Sequence, residues 1–187
     1  MKQLILPALK LTLLCIVFFC GLYTLLIWGI AQLGPDKGEG ESVQRHGSIV
    51  GYTLEGQPFT QDKYFWSRPS AVAFNAAGSG GSNKGPSNPD YLKDVAARID
   101  SFLAHNPGIQ RKDIPSELVT FSGSGLDPDL SPEAAYIQVS RIAKVRNLTE
   151  DRVRAIIDVN LEKPLLGLLG PEKVNVLKLN LSLDKLN

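Results

Sequence analysis

Two short glycine–serine segments carry the residues whose types and spacing best fit a binding site. The first lies in the small-residue stretch from Ala71 to Pro89, and the second spans Ser122 to Gly125. Such segments can point several backbone N–H groups the same way, which binds anions or carbonyl-rich partners. The alternative is a surface loop whose glycines only adopt the positive φ angles of turns. The candidate contact residues are Ser79, Gly80, Gly81, Ser82 and Asn83 in the first segment, and Ser122, Gly123, Ser124, Gly125 and the following Asp127 in the second.

Catalytic and metal-binding patterns are missing from the sequence. The two histidines, His46 and His105, are far apart in the chain and do not form a ligand cluster. The glycine-flanked serines do not match the G-x-S-x-G nucleophile elbow. The phosphate-binding motif GxxxxGK[ST] is absent too, because Lys84 follows Asn83 and precedes Gly85. We therefore expect no catalytic residue and no metal site.

Arg68 is a further candidate contact residue. It follows the aromatic run of YFWSRPS, and Pro69 after it disfavours the helical backbone for Arg68. An arginine in this setting is either a buried structural residue paired with an acid or an anchor at an interface. The sequence leaves both interpretations open.

Three helices are predicted to position these segments. Each begins at a residue with a capping side chain, and each has apolar residues at helical spacing. The caps are Asn88, Ser131 and Thr149. The second glycine–serine segment is predicted to follow a strand within ELVTF, and GSIVGYTLEG is predicted to form a strand and a turn.

The tail VNVLKLNLSLD alternates apolar and polar residues. Its leucines fall on one face of an extended chain, which predicts a strand central to the sheet. They are Leu177, Leu179, Leu181 and Leu183. Val174 and Val176 are out of phase with them, which predicts a bulge near Val176–Leu177.

The stretch from Leu11 to Leu33 is predicted to cross a membrane. It contains no charged residue and is long enough, as a helix, to cover a hydrocarbon core of about 30 Å. Gly21 and Gly29 mark places where a neighbouring helix could pack closely. A cleaved signal peptide is the alternative, but the apolar run is longer than usual and no A-x-A site follows it. We expect an uncleaved, single-pass anchor.

The flanking charges predict the orientation of this helix. Lys2 and Lys10 precede the span, whereas Asp36, Lys37 and Glu39 follow it. Basic flanks stay in the cytoplasm, so residues 1–10 are expected inside and the rest of the chain outside the cell membrane.

Composition limits what the outer part can do. Of the 20 lysines and arginines, Lys2 and Lys10 lie before or at the span, leaving 18 against 19 acidic residues and a net charge of −1. This balance argues against a nucleic-acid or anionic-lipid surface. Cys15 and Cys20 both lie in the span, so the outer part has no disulfide. We predict a linker over residues 34–47 and one α+β domain over 48–187, with a small mixed sheet and about three helices.

Several motifs in the same order resemble one known family. They are YFWSRPSA, FNAAGSGGSNKGPSNP, TFSGSGLDPDLSPEAA, a P-x-x-G-x-L-G turn and VNVLKLNLSLD. Together they resemble the C subunit of the Kdp potassium-transporting ATPase, over nearly the whole chain except the linker.

The resemblance implies an accessory subunit in the inner membrane of a bacterium. Its partners would be a potassium-binding channel-like subunit, an ATP-hydrolysing P-type subunit and a small stabilising subunit. ATP and potassium would be handled by the complex, with no cofactor bound by this chain. The family is described as a catalytic chaperone that raises the ATP affinity of the hydrolysing subunit.

Two classes of function remain open from the sequence. In the first, the outer domain assembles the complex by contacting the channel-like subunit. In the second, the two glycine–serine segments form a pocket for a nucleotide or another anion. Lys84 is the one basic residue close to the first segment, so we do not expect strong anion binding there.

Overall fold

The computed structural model of the chain describes residues 2–34 and 36–186, with side chains except those of residues 2 and 3. The chain divides into two compact units, Met1–Ser42 and Val43–Asn187.

The first unit contains one long apolar helix. It consists of α1 (Lys2–Cys15), a wider π-helical stretch (Ile16–Tyr23) and α2 (Thr24–Ala31). The continuous helix Leu4–Ala31 is long and apolar enough to cross a membrane, and none of its most apolar part is buried within the chain. It begins earlier than the predicted start at Leu11 and ends before Leu33. The unburied surface needs an apolar environment that the described residues do not supply.

The second unit begins with a β-hairpin. Its strands are β1 (Ser42–Arg45) and β2 (Ser48–Tyr52), and they pair with each other. His46 and Gly47 join them with φ angles of 52° and 80°, the two positive values that a type I′ turn requires. The predicted strand after Gly47 is confirmed, while β1 occupies the end of the stretch predicted as linker.

Among the described residues, five α-helices follow the hairpin. They are α3 (Pro89–His105), α4 (Pro132–Tyr136), α5 (Val139–Arg146), α6 (Glu150–Val159) and α7 (Val176–Asp184). The three predicted caps are confirmed, because Asn88, Ser131 and Thr149 each accept a hydrogen bond from a backbone N–H three residues ahead. The helix predicted from Ser131 is divided into α4 and α5.

The second unit also contains a small sheet, whose strands lie between helices along the sequence. Its strands are β3 (Asp129–Leu130), β4 (Leu161–Glu162) and β5 (Lys173–Asn175), in the order β3-β5-β4. Leu130 and Leu161 both pair with Val174, and both pairings are antiparallel. The α+β fold is confirmed, with antiparallel pairing where a mixed sheet was expected.

The predicted C-terminal strand is wrong, because the tail forms α7. Val176, Leu179, Asn180 and Leu183 are buried at the spacing i, i+3, i+4 and i+7, which is one face of a helix. The Asn175 side chain caps this helix by accepting a hydrogen bond from the Lys178 N–H at 3.1 Å. The alternating leucines fit a strand equally well in the sequence, but the buried polar Asn180 belongs only to the helical face.

The strand predicted within ELVTF is also wrong. Ser116–Leu118 forms a short 3₁₀ turn after Pro115. Glu117 is drawn toward the start of α4, where its carboxylate accepts hydrogen bonds from the Ser131 N–H at 3.0 Å and the Ser131 hydroxyl at 2.5 Å. These bonds fix the turn, so this segment does not pair with the sheet.

The core of the second unit joins α3–α7, the sheet and the stretch YFWSRPS, residues 64–70, which we call the aromatic segment. Its wholly buried large side chains include Phe65, Leu130, Ile142, Ile157, Leu179 and Leu183. Phe65 comes from a segment without regular secondary structure. That segment therefore depends on contacts with the helices for its position.

Candidate functional site

The two glycine–serine segments meet backbone to backbone. The Gly80 N–H donates to the Ser124 carbonyl at 2.8 Å, and the Ser79 hydroxyl donates to the same oxygen at 3.0 Å. A Cβ added to Gly81 would lie 3.2 Å from the Gly123 carbonyl oxygen. The structure thus brings together two segments that are 45 residues apart in the chain.

Gly125 is the tightest point of this contact. Its φ is +69°, and an added Cβ would lie 2.6 Å from Val72 Cγ2 and 2.8 Å from the Gly80 carbonyl oxygen. Its N–H donates to Ser122 Oγ at 2.8 Å, and its carbonyl accepts from the Ser70 hydroxyl at 2.6 Å. Only glycine fits this backbone angle and this space without strain.

These bonds take up donors that a bound anion would need. The N–H groups of Gly80 and Gly125 both donate within the protein. Ser82 and Asn83 lie beyond the contact, where Ser82 Oγ accepts from the Lys84 N–H at 3.5 Å and Asn83 is exposed. The geometry gives the segments a packing role, and a ligand at them stays a prediction.

Arg68 and Asp127 link the contact to the aromatic segment. Arg68 Nη1 donates to Asp127 Oδ2 at 2.5 Å, and each side chain is less than one-third exposed, at 23% and 29%. Asp127 Oδ1 also accepts from the Asp129 N–H at 3.1 Å. Arg68 is therefore paired with an acid inside the domain, and its role as an anchor at an interface stays a prediction. Arg68 Nε is buried and has no hydrogen-bond partner among the described residues.

A cleft of about 390 Å³ lies beside Arg68. Its walls include the aromatic rings of Phe59, Trp66, Phe74 and Phe102, with Arg68, Arg98 and His105 as its basic residues. Arg98 donates to the Val119 carbonyl at 3.1 Å, and His105 Nδ1 lies 2.8 Å from Asp62 Oδ1. These basic groups have partners within the domain, so the cleft suits an apolar side chain better than a phosphate.

Arg141 from α5 holds the segment that leads into the cleft. Its side chain is only 2% exposed, and it donates to the carbonyls of Asp62 and Tyr64 at 2.5 and 3.0 Å. It also donates to Asn106 Oδ1 at 3.0 Å and to Gln138 Oε1 at 2.7 Å. Burial lowers the pKa of the guanidinium to about 10, against the opposing effect of the Asp62 carboxylate. Arg141 therefore stays charged at neutral pH.

Gln138 and Asn180 clamp the same segment through its backbone. Gln138 Oε1 accepts from the Trp66 N–H at 2.8 Å. The Asn180 amide accepts from the Phe65 N–H at 2.8 Å and donates to the Phe65 carbonyl at 3.0 Å. Sequence reasoning missed these polar residues. The available signal was that a polar amide occurs at the spacing of the buried face in each case, Gln138 just before α5 and Asn180 within α7.

Asp184, at the end of α7, accepts hydrogen bonds from three side chains. Its carboxylate accepts from Arg45 at 2.6 Å, from Arg146 at 2.7 Å and from the Tyr64 hydroxyl at 3.1 Å. Burial raises the pKa of this carboxyl, but the hydrogen bonds from Arg146, Arg45 and Tyr64 outweigh it and hold the pKa below 3.8. The hairpin, the aromatic segment and α5 thus all donate to one partly buried charge at the end of α7.

Replacing Asp184 with asparagine is expected to destabilise the protein at pH 7 by about 1.5–3 kcal/mol, the value of hydrogen bonds to a charged group. A lowered pKa stabilises the folded state above the unfolded-state value, and that stabilisation is lost as pH falls through the folded-state value. The wild type should therefore approach the variant as pH falls below 3.8. Thermal unfolding of the detergent-solubilised chain at pH 7 and pH 3 measures both effects.

Asp100→Asn, at an exposed position of α3, is the matched control and should change the melting temperature little at either pH. Equal melting temperatures of wild type and Asp184→Asn at pH 7 would contradict the stabilising role.

Gly21 and Gly29 lie in the first unit, away from these contacts in the chain. A Cβ added at either position would meet no described atom of this chain within 4 Å. Close packing of a neighbouring helix at these glycines stays a prediction.

Comparison with known proteins finds the same family over almost the entire chain. Residues 5–185 match the family described as "KdpC: K+-transporting ATPase, c chain". Several relatives carry the name "Potassium-transporting ATPase KdpC subunit". One of them, from Bacteroides fragilis, is 52% identical over 189 residues, covering 100% of this chain and 98% of the relative. One from Flavobacterium psychrophilum is 54% identical, with 95% and 96% covered, and one from Geobacter metallireducens is 45% identical, with 96% of each covered. The chain belongs to the KdpC family, the c chain of potassium-transporting ATPases.

Proposed function

We propose that this chain is a non-catalytic subunit of an ATP-driven potassium uptake complex in a bacterial inner membrane. The match of residues 5–185 to the c-chain family carries the proposal. The unburied apolar helix Leu4–Ala31 supports single-pass membrane attachment. In this role the chain holds together a channel-like subunit, an ATP-hydrolysing subunit and a small stabilising subunit.

The second unit is proposed to lie on the outer side of the membrane, because the basic residues Lys2 and Lys10 lie near the N-terminal end of the apolar helix. A cysteine at the exposed Ser48, in a chain whose Cys15 and Cys20 are replaced by alanine, should react with a membrane-impermeant maleimide in intact spheroplasts. The same cysteine in a spheroplast lysate is the control for reactivity. Labelling only after lysis would reverse the orientation.

An effect on ATP affinity is proposed to act through the other subunits. ATP is cytoplasmic, whereas the second unit is proposed to be outside, and the donors of Gly80 and Gly125 are used within the protein. The solubilised chain alone should therefore show no saturable ATP binding at millimolar concentration. A dissociation constant below about 0.1 mM, near −5.5 kcal/mol, that Gly81→Val abolishes without unfolding would instead support the nucleotide-binding alternative.

A further inference from the structure

An ordered turn of leucines projects between β4 and β5. We call it the leucine tip, residues 164–170, with the sequence PLLGLLG. Leu165 and Leu169 pair across it, each donating its N–H to the carbonyl of the other at 3.0 Å. The Gly167 N–H donates to the Pro164 carbonyl at 2.9 Å. These bonds give the tip a defined shape before it meets anything else.

The leucines of the tip are among the most exposed of the second unit. Leu165, Leu166, Leu168 and Leu169 are 69%, 85%, 87% and 61% exposed. The cores of soluble domains are built by burying such side chains, and single exposed leucines are ordinary. Four of them on one short turn form an apolar patch, which is typical of a contact surface.

The backbone conformation of Leu166 is also unfavourable for a leucine. Its φ is +56°, in the left-handed region that glycine and asparagine enter far more readily than a bulky residue. Packing within the domain does not explain the choice, because this side chain is 85% exposed. Folding alone would favour asparagine here, so neither packing nor backbone conformation within the chain explains the leucine.

The charges around the tip favour a protein surface over anionic lipid. Glu162 and Lys163 precede the tip, and Glu172 and Lys173 follow it, which gives a balanced pair on each side. Lys173 Nζ is held 2.7 Å from Asp129 Oδ2 and 3.6 Å from Glu162 Oε2. Binding to anionic headgroups needs a cluster of basic residues, which these flanks do not provide.

The size of the tip indicates that it is one part of a larger attachment. A stable interface buries about 800 Å² on each partner, more than four leucine side chains offer. A chain already attached to a complex through its membrane helix needs only a small second contact, because linked contacts act at high effective concentration.

We propose that the leucine tip inserts into an apolar pocket on another subunit of the transporter. The inference rests on the proposed function, because it assumes that the chain is a subunit. The preformed turn limits the conformational entropy lost on binding, and the leucines supply the buried apolar area.

Leu166→Asn tests this inference without disturbing the fold. Asparagine suits the left-handed backbone, so the melting temperature of the solubilised chain should be unchanged or slightly higher. Affinity-tagged full-length chain, co-expressed with the other subunits, should recover them with about tenfold weaker affinity, the expected loss for one buried leucine. Leu54→Asn, at another leucine that is 74% exposed, should leave recovery unchanged.

A probe at the tip separates protein from lipid as the occupant. An environment-sensitive fluorophore on Leu168→Cys, with Cys15 and Cys20 replaced by alanine, should shift to the blue when the other subunits are present. It should not shift in vesicles of neutral or anionic lipid that contain this chain alone. A shift in those vesicles would overturn the inference in favour of the membrane.

The two proposals fail in different ways. If wild type and Leu166→Asn recover the other subunits equally well, the tip inference is wrong and the subunit role stands. If the wild-type chain recovers none of them, both proposals are wrong.

Discussion

Replacing Arg141 with methionine is expected to destabilise the second unit by about 3–5 kcal/mol, because several buried acceptors lose their donor at once. The carbonyls of Asp62 and Tyr64 and the side chain of Asn106 all depend on this guanidinium. The contact of the guanidinium with the Trp66 ring, 4.7 Å from the ring centroid, is lost as well. Because methionine fills part of the volume of the arginine side chain, the loss of stability comes mainly from the missing hydrogen bonds.

Thermal and urea unfolding of the solubilised chain measure this effect. Arg154→Met is the matched control, because its ion pair with Glu150 is about half exposed and such pairs contribute about 0–1 kcal/mol. Arg141→Lys should recover little, since an ammonium cannot reproduce the planar fork of donors. A stability loss of under about 1 kcal/mol in Arg141→Met would mean that water replaces the lost bonds.

Gly125→Ala is expected to lower stability by about 2–5 kcal/mol, from the positive φ and from overpacking. The added methyl would lie 2.6 Å from Val72 Cγ2, which can move, and 2.8 Å from the Gly80 carbonyl oxygen, which belongs to the backbone. Relieving the second contact would separate the two glycine–serine segments and stretch the bond from Gly80 to Ser124.

Gly123→Ala is a control within the same segment. A methyl at Gly123 would meet no described atom within 4 Å, so stability should change by less than about 0.5 kcal/mol. The pair also separates packing from ligand binding. If the segments formed an anion pocket, the exposed face of Gly123 would be the sensitive position, and its variant would lose function while remaining folded.

Local signals predicted the helix starts but not the end of the chain. Asn88, Ser131 and Thr149 act on backbone groups three residues away, so their role is visible in a short window of sequence. The residue pattern of the tail fits the period of a strand and that of a helix. The burial of Asn180 is what distinguishes the helix from the strand. That residue is buried because it bonds Phe65, which is 115 residues away.

The candidate residues were predicted by type, but their partners were not. The glycine–serine segments stood out by composition, whereas the bond from Ser79 to Ser124 spans 45 residues and leaves no local trace. Arg68 was expected to be paired or at an interface, and Asp127 as its partner follows only from the fold. The leucine tip was noted as a turn, and the left-handed φ of Leu166 appears only in the structure.

The distance along the sequence between the aromatic segment and α7 has a consequence for synthesis. Phe65 is clamped by Asn180 and Arg45 bonds Asp184, so these residues are held by partners made 115 and 139 residues later. At about 5–20 residues per second, the aromatic segment waits on the order of ten seconds before its partner is made. During that interval Phe65 lacks the hydrogen bonds with Asn180, so the core of the second unit stays incomplete.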